Sequence, residues 1–386
     1  MNPPLVAVVG TGAFAATLVR ALARHPHPLR LHVLSRDADR ARDLADLARD
    51  HAFLAGHRTA YTGDRLDPFA RDQTRRLLSA LRPDVLVVAG SEQSPAEART
   101  TPSAWTDLLN RSGFGLTLAL QSAVVAKLAE ACAQASPDTT VVNACFPDAV
   151  NPLLHAAGLP VACGLGNVST LACALSARLA LPDERRLHLL AHHAHLHAPP
   201  APDDDARGWL DGTMLIDLSR LLAPVRSRPR RHLNEIGAAA GAAAVAALAG
   251  GGPDHIGHLP GPRGLPGGYP VTVGHRRVRL RLPEGVSREQ AVQWNLRRAE
   301  LDGVVVDVDG TVRTTPAALA ALRKHWPDAP PSYGPTDLGP VRDRLLRLRA
   351  RLRTMPAPPP PESTHHDHEQ AEPHRPLPAA HRPSDH

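Results

Sequence analysis

Val6-Ala-Val-Val-Gly10-Thr-Gly12-Ala-Phe-Ala15-Ala16, followed by Leu29-Arg-Leu-His-Val-Leu-Ser35-Arg36, is the stretch that decides the fold. An apolar run enters a glycine turn, a helix-like run reaches Leu22, and a second apolar strand ends at Ser35-Arg36. The turn has the G-x-G-x-x-A form of the dinucleotide-binding fingerprint, in the strand–turn–helix–strand setting that form requires. Gly10 permits the tight turn, Gly12 lets the backbone approach a pyrophosphate, and Ala15 lets helix and strand pack closely. Thr11, Ala13 and Phe14 complete the cradle at the helix N-terminus, where free N–H groups and the dipole favour anions. An acidic residue at the end of the second strand would accept from a ribose 2′-hydroxyl and repel a 2′-phosphate. Ser35-Arg36, with Arg40 and Arg42 one turn on, supplies a hydroxyl and cations instead, so NADP(H) is expected over NAD(H).

Composition narrows the class. At 386 residues the chain can hold two core-forming domains, or one large domain and a tail. Cys132, Cys145, Cys163 and Cys173 lie in one apolar third with no paired spacing for zinc or a disulfide framework. No leader and no membrane-spanning apolar run is read, which points to the cytoplasm. The net charge of +6 raises nucleic acid as a partner. However, Lys127 and Lys324 are the only lysines and aromatic residues make up 3%, which argues against a base-stacking surface.

Residues 1–150 alternate strand and helix. Strands are expected at Leu5–Val9, Leu29–Leu34, Asp84–Ala89 and Thr140–Ala144, and helices at Phe14–Ala23, Ala38–Asp50 and Ala119–Ala135. That order predicts an α/β fold with a doubly wound parallel Rossmann sheet, its crevice lined by Ala89-Gly90-Ser91 and Asn143-Ala144-Cys145. Residues 151–336 read as an α+β second domain. It has strands at Arg186–Leu196 and Arg277–Leu282, an Ala/Gly helix at Asn234–Leu248 and a Ser-started helix at Ser287–Ala299. A basic amphipathic helix, 337–354, carries Leu338, Val341, Leu345, Leu348 and Leu352 at 3-4 spacing. That stripe suits either docking onto its own domain or a homo-oligomer contact. The Pro- and His-rich tail, 355–386, is expected to be disordered.

The order of these segments resembles the lactate/malate dehydrogenase superfamily over about residues 4–300. The resemblance runs through Gly10–Ala15, Val87-Val88-Ala89-Gly90, and Ser136-Pro137 leading to Asn143. It continues through Gly158-Leu-Pro160, Gly164-Leu-Gly166-Asn167, the helix after Ile236-Gly237, and Gly267-Gly268-Tyr269-Pro270. It implies that the family's acid–base histidine falls at Ala191-His192-His193-Ala194, with His193 the best match, and that Asn143 contacts cofactor and substrate. Imidazole suits proton transfer near neutral pH. The places of the family's orienting Asp and carboxylate-binding Arg fall near Thr170 and Cys173, and the loop after Gly90 offers only Arg99. Activity on 2-hydroxy acids as such is therefore not expected.

Further polar groups sit near the same crevice. Cys145 is a nucleophile only if its thiolate is stabilised, and otherwise a small buried side chain. Asp148 and Asn151 read as either site groups or helix caps, and Asn167 as a substrate contact or a turn residue. Along a strand, His193, His195 and His197 would share one face, which suits a solvated edge or a single acid–base histidine better than a metal; no metal site is expected. Asp307-Val-Asp309-Gly310-Thr311 matches a phosphatase nucleophile motif, but too little chain follows, and a hairpin is the better reading. The expectation is an NADP(H)-dependent oxidoreductase moving hydride to or from a carbonyl, imine or conjugated alkene of a small or peptide-like substrate. His193 and Asn143 would be catalytic, and Arg99, Cys145, Asp148 and Asn167 would line the substrate. The alternative is a cofactor-binding scaffold or sensor without turnover.

Overall fold

Six parallel strands carry the first half of the chain in the computed structural model, which describes residues 2–357 except for the side chains of Ala98 and Arg99. In chain order they are β1 (Leu5–Val9), α1 (Ala13–Ala23), β2 (Arg30–Ser35), α2 (Ala38–Leu54), β3 (Tyr61–Arg65), α3 (Arg71–Leu81) and β4 (Val85–Val88). Then follow α4 (Glu97–Thr100), α5 (Ala104–Ser112), α6 (Leu118–Ala135), β5 (Thr140–Asn143), α7 (Pro147–Ala156) and β6 (Cys163–Gly164). The sheet order is β3-β2-β1-β4-β5-β6, so the direction of winding reverses between β1 and β4. That switch opens a crevice at the strands' carboxyl ends. Central strands are apolar on both faces, as β1 (LVAVV) and β4 (VLVV) show, because helices cover both sides.

Alternating strand residues feed two cores. Val6, Val8, Val33, Val85, Val87 and Val142 pack with α1 and α2 on one face. Ala7, Val9, Leu34, Leu86, Val88 and Val141 pack with α6 and α7 on the other. The segment Phe114–Ala135 is long and apolar enough to cross a membrane, contrary to the sequence reading, but most of it is buried, with Leu118, Val125, Leu128 and Cys132 in this second core. It is a core helix.

The rest of the described chain forms small antiparallel sheets with helices. β7 (Leu187–Leu190), β8 (Arg207–Leu210) and β9 (Thr213–Met214) form one sheet, preceded by α8 (Val168–Arg178). After α9 (Leu218–Arg226) and α10 (Arg230–Ala249), β10 (His255–Pro260), β11 (Gly268–Gly274) and β12 (Arg277–Leu280) form the next. After α11 (Arg288–Ala299), β13 (Val304–Val306) and β14 (Val312–Thr314) pair antiparallel, and α12 (Pro316–Arg323), β15 (Ser332–Tyr333) and α13 (Leu338–Arg353) complete the order. The Asp307–Thr311 motif is the turn of that hairpin, with Asp307 paired to Arg313 rather than held for metal. The small residues of α10 allow close approach: a Cβ on Gly237 would lie 2.4 Å from Thr170 Oγ1 of α8.

One expectation needs correction. The histidine run is not a strand, since β7 stops at Leu190 and His193–Leu196 is a turn of 3₁₀ helix. Side chains bind the local backbone instead: the His192 N–H donates to His195 Nδ1 at 2.7 Å, and that bond replaces strand pairing. The 337–354 stripe docks onto its own chain, one of the two readings its spacing allows. Val341, Leu345, Leu348 and Leu352 are buried in one cluster with Trp105, Leu116, Leu322 and Trp326, and Leu338 packs against its edge. The tail from 358 onward lies outside the described residues.

Candidate functional site

The fingerprint turn has the shape the sequence implies. Gly10 sits at φ +122°, donates its N–H to Leu34 O at 2.8 Å, and a Cβ there would lie 3.0 Å from Ala89 O. Gly12 begins α1 with no side-chain cap, and a Cβ on it would meet nothing within 4 Å. The first intrahelical bond runs from Ala16 N to Gly12 O, so the amides of the first turn are left for an anion. Thr11 Oγ1 lies 3.5 Å from Ser35 Oγ, tying the turn to the end of β2. Asp37, the nearest acid, is spent capping α2: its carboxylate accepts from the N–H groups of Asp39 and Arg40. Arg40 and Arg42 are paired with Asp37 and Asp39. Among the described residues Arg36 is the exposed cation at that strand end without an ion-pair partner.

At the ends of β4 and β5 the expected polar groups mostly brace one another. Asn143 is fully buried; its Oδ1 accepts from Cys145 N at 2.8 Å, and its Nδ2 donates to Cys145 O and to Asn151 Oδ1. Asn151 in turn donates to Gly261 O at 3.0 Å. These asparagines lock β5 to α7 and the 261–267 turn, and both polar atoms of the Asn143 amide have protein partners. Burial pushes the Cys145 thiol up to about 12, which removes it as a nucleophile. Asp148 is 1% exposed and receives Asn167 Nδ2 on one carboxylate oxygen, while its other oxygen, Oδ1, is buried without a hydrogen-bond partner among the described residues. Ser91 turns inward and donates to Gln93 O at 2.8 Å. The side chain of Arg99 lies outside the described residues.

His193 is where the chemistry concentrates. Its Nδ1 lies 3.0 Å from both carboxylate oxygens of Asp302. The ring stacks on Phe114 with centroids 5.1 Å apart, and meets the edge of Phe146 at 5.2 Å. Phe146 directly follows Cys145 at the end of β5 and holds a left-handed backbone, φ 48° and ψ 52°, a conformation costing roughly 1–3 kcal/mol in a non-glycine residue. Its packing against Phe114 and His193 fixes it there. Asp302 ends the 3₁₀ turn Glu300–Asp302. The glycine after it sits at φ +86°, where a Cβ would collide with Ser112 O at 1.9 Å. Gly303 therefore lets the turn press against α5 and aims Asp302 at the histidine.

The local charges follow from burial and pairing. Burial alone would raise the Asp302 carboxyl, but the charge of His193 and hydrogen bonds from His192 and His193 hold it well below the usual range. His192 Nδ1 also lies 3.1 Å from Asp302 Oδ2. Asp302, whose carboxylate faces His193, lies 109 residues beyond it in the chain. In the sequence Asp302-Gly303 carries only a turn signal, and no local pattern marks it.

The elements around this site define an α/β Rossmann protein whose second half brings a histidine–carboxylate pair to the sheet's carboxyl edge. No protein-family model and no curated protein matches the sequence. Solved structures match in fold. The malate dehydrogenase from Archaeoglobus fulgidus in complex with NADH aligns with a TM-score of 0.52 at 15% identity, over 77% of this chain and 97% of that one. The malate dehydrogenase from Salinibacter ruber gives 0.52 at 16%, over 84% and 99%. MGS-M5, a lactate dehydrogenase from a Medee basin deep-sea metagenome library, gives 0.51 at 16%, over 78% and 97%. The chain has the fold of the malate and lactate dehydrogenases.

Proposed function

We propose that this chain is an NADP(H)-dependent oxidoreductase acting on a carbonyl, imine or conjugated alkene of a small or peptide-like substrate, with His193 as its general acid–base. The observation that carries the reading is the His193–Asp302 pair beside the end of β5. An Nδ1–H directed at Asp302 leaves Nε2 to give a proton to the substrate heteroatom or take one from it. Asp302 is a positioning residue: it pins tautomer and ring orientation and stabilises the imidazolium. Phe114 and Phe146 hold the ring and keep water from two of its sides. The residues of the fingerprint fit a dinucleotide, because Gly12 opens onto empty space before uncapped amides. Gly10–Ala15 would hold its pyrophosphate, Ala89-Gly90-Ser91 would border it, and Ser35 with Arg36 would take the 2′-phosphate. When bound, the dinucleotide supplies or receives the hydride. Helix α8 begins Val168-Ser-Thr-Leu with no arginine, which favours a substrate lacking a carboxylate beside the reacting carbon.

Thermal shift and fluorescence titration with NADPH and NADH test this. NADPH at 100 times its Kd should stabilise by about 2.7 kcal/mol, a shift of a few degrees, and NADH by less. Gly12→Ala should leave the unliganded Tm unchanged and abolish the shift, and Arg36→Ala should narrow the gap between cofactors. His193→Gln should lose hydride transfer at unchanged NADPH affinity. Failure of both cofactors to bind overturns the reading; binding without turnover on carbonyl, imine and alkene panels makes the chain a cofactor-binding scaffold.

A further inference from the structure

Four titratable groups meet around the His193 ring, and the acid–base reading uses only two of them. Asp302 Oδ2 is shared by two imidazoles, His193 Nδ1 at 3.0 Å and His192 Nδ1 at 3.1 Å. Asp148, on α7, feels the charge of both rings and of Asp302. His192 and Asp148 are each 1% exposed. Two of their atoms, His192 Nε2 and Asp148 Oδ1, are buried without a hydrogen-bond partner among the described residues. One can be a proton donor and the other an acceptor, and both belong to the same enclosed group.

Charge balance then restricts the protonation states. With both acids ionised and both rings neutral, the group would hold two uncompensated buried negative charges, which a low-dielectric interior penalises heavily. One imidazolium halves that charge, and a second cancels it. The two rings differ in surroundings: His192 is enclosed and interacts with both acids, whereas the His193 side chain keeps 13% exposure.

We propose that His192 is a resident proton carrier: it holds the proton that offsets the Asp148–Asp302 charge, so that His193 exchanges only the second proton with substrate. At each exchange the bond formed or broken is His193 Nε2–H, the proton passing to or from the substrate heteroatom while His192 keeps its own. The catalytic consequence rests on the acid–base role of His193; the protonation of His192 does not. The surrounding charges agree. Burial would lower the proton affinity of His192, but the Asp302 hydrogen bond and the charges of Asp148 and Asp302 raise it. Burial raises Asp148 against the pull of both imidazoles, so the acid and His192 compete for one proton. His195 faces His192, and His197 faces His193 and Asp302 with Arg226 and Arg230 beyond it.

Imidazole ¹⁵N NMR of the full chain as a function of pH tests this directly, with His192 and His193 assigned from His192→Gln and His193→Gln. The expected result is that His192 is imidazolium at neutral pH and releases its proton only above the ordinary histidine range. In Asp148→Asn, the His192 midpoint should fall, because one of the two charges that hold its proton is gone. A neutral His192 at neutral pH in the parent protein would overturn the proposal, as would a His192 midpoint unmoved by Asp148→Asn; where a variant does not fold, through-bond correlation from the backbone assigns the ring instead. These midpoints are read without cofactor or substrate, so an absence of hydride transfer leaves them intact.

Discussion

His195 depends on staying neutral, and that dependence should set the protein's response to acid. Its Nδ1 accepts the His192 N–H, its Nε2 donates to Asp204 O at 2.8 Å, and its ring stacks on Trp294 with centroids 5.5 Å apart. Burial pushes it down to about 4 from an ordinary 6.5, the nearby backbone acceptor offsetting only part of that. Between those values the unfolded chain binds a proton that the native one refuses. The contribution is therefore fully present above pH 6.5 and is lost as pH falls toward 4. One group depressed over this interval is worth about 3 kcal/mol as an upper figure. His188 is also pushed down to about 4, mainly by burial, but is half-buried and adds less. His192 has the opposite sign: its raised affinity stabilises below its unfolded value, and that stability is lost as pH rises. Urea unfolding at pH 4.5 and 6.5 should show a clear loss at the lower pH, and His195→Gln should reduce that difference by up to about 2 kcal/mol. An unchanged pH difference in the variant would rule out His195 as its source.

At the scale of elements, α13 does more than cover a core. Its apolar stripe docks on α5, α6 and α12, and its arginines reach back to the segment leaving β4. Arg342 forms a two-point pair with Glu92 at 2.5 Å, Arg353 does the same with Glu97 at 2.5–2.6 Å, and Arg349 donates to Glu92 O. Gln93, buried between them, accepts from Trp105 Nε1 at 3.2 Å. Residues 91–103 border the expected cofactor crevice and are latched by a helix about 250 positions away. Partly exposed pairs contribute about 0–1 kcal/mol each, whereas Leu348→Ala should cost about 2–5 kcal/mol. Arg342→Ala/Arg353→Ala should therefore speed amide exchange in 91–103 while moving Tm by only a few degrees. Unchanged exchange there would show that Gln93 and Trp105 hold the segment alone. The leucine stripe of α13 was legible in the sequence because helical spacing is local. Its arginines were read only as basic, because their acidic partners lie far off in the chain. Strand β3 (YTGDR) carries little sequence signal because an edge strand buries little, here Tyr61 alone, and β6 carries none because two residues have no period.

For the whole molecule, the boundary expected near residue 150 does not divide the packing. β6 completes the parallel sheet from beyond it, and α10, Tyr269, Val271 and Trp294 share one continuous core with β1, α1 and α2. The site is spread in the same way: the fingerprint and Phe146 come from the first half, His193 and Asp302 from the second. This explains which parts of the site could be read in advance. The cofactor half is one contiguous turn whose glycines announce their geometry. The proton-transfer half is a meeting of distant residues, so His193 was placed by likeness in segment order and Asp302 was not placed at all. Shared packing also governs unfolding. Two domains with separate cores would melt independently, whereas stripping α10 and β11 from the first half would expose the face formed by Val6, Val8, Leu18 and Leu22. At about 25 cal/mol per Å² of apolar area, such a face cannot be uncovered at modest cost, so the halves should unfold together. Far-UV ellipticity, dominated by the helices of both halves, and tryptophan fluorescence of a Trp105→Phe variant, whose remaining Trp209, Trp294 and Trp326 lie in the second, should give one coincident urea midpoint. Saturating NADPH should move both signals equally although its expected contacts lie in the first half. Two separated midpoints, or a cofactor shift confined to one signal, would mean that the common core does not couple the halves and that the His193–Asp302 pair can assemble without the cofactor cradle.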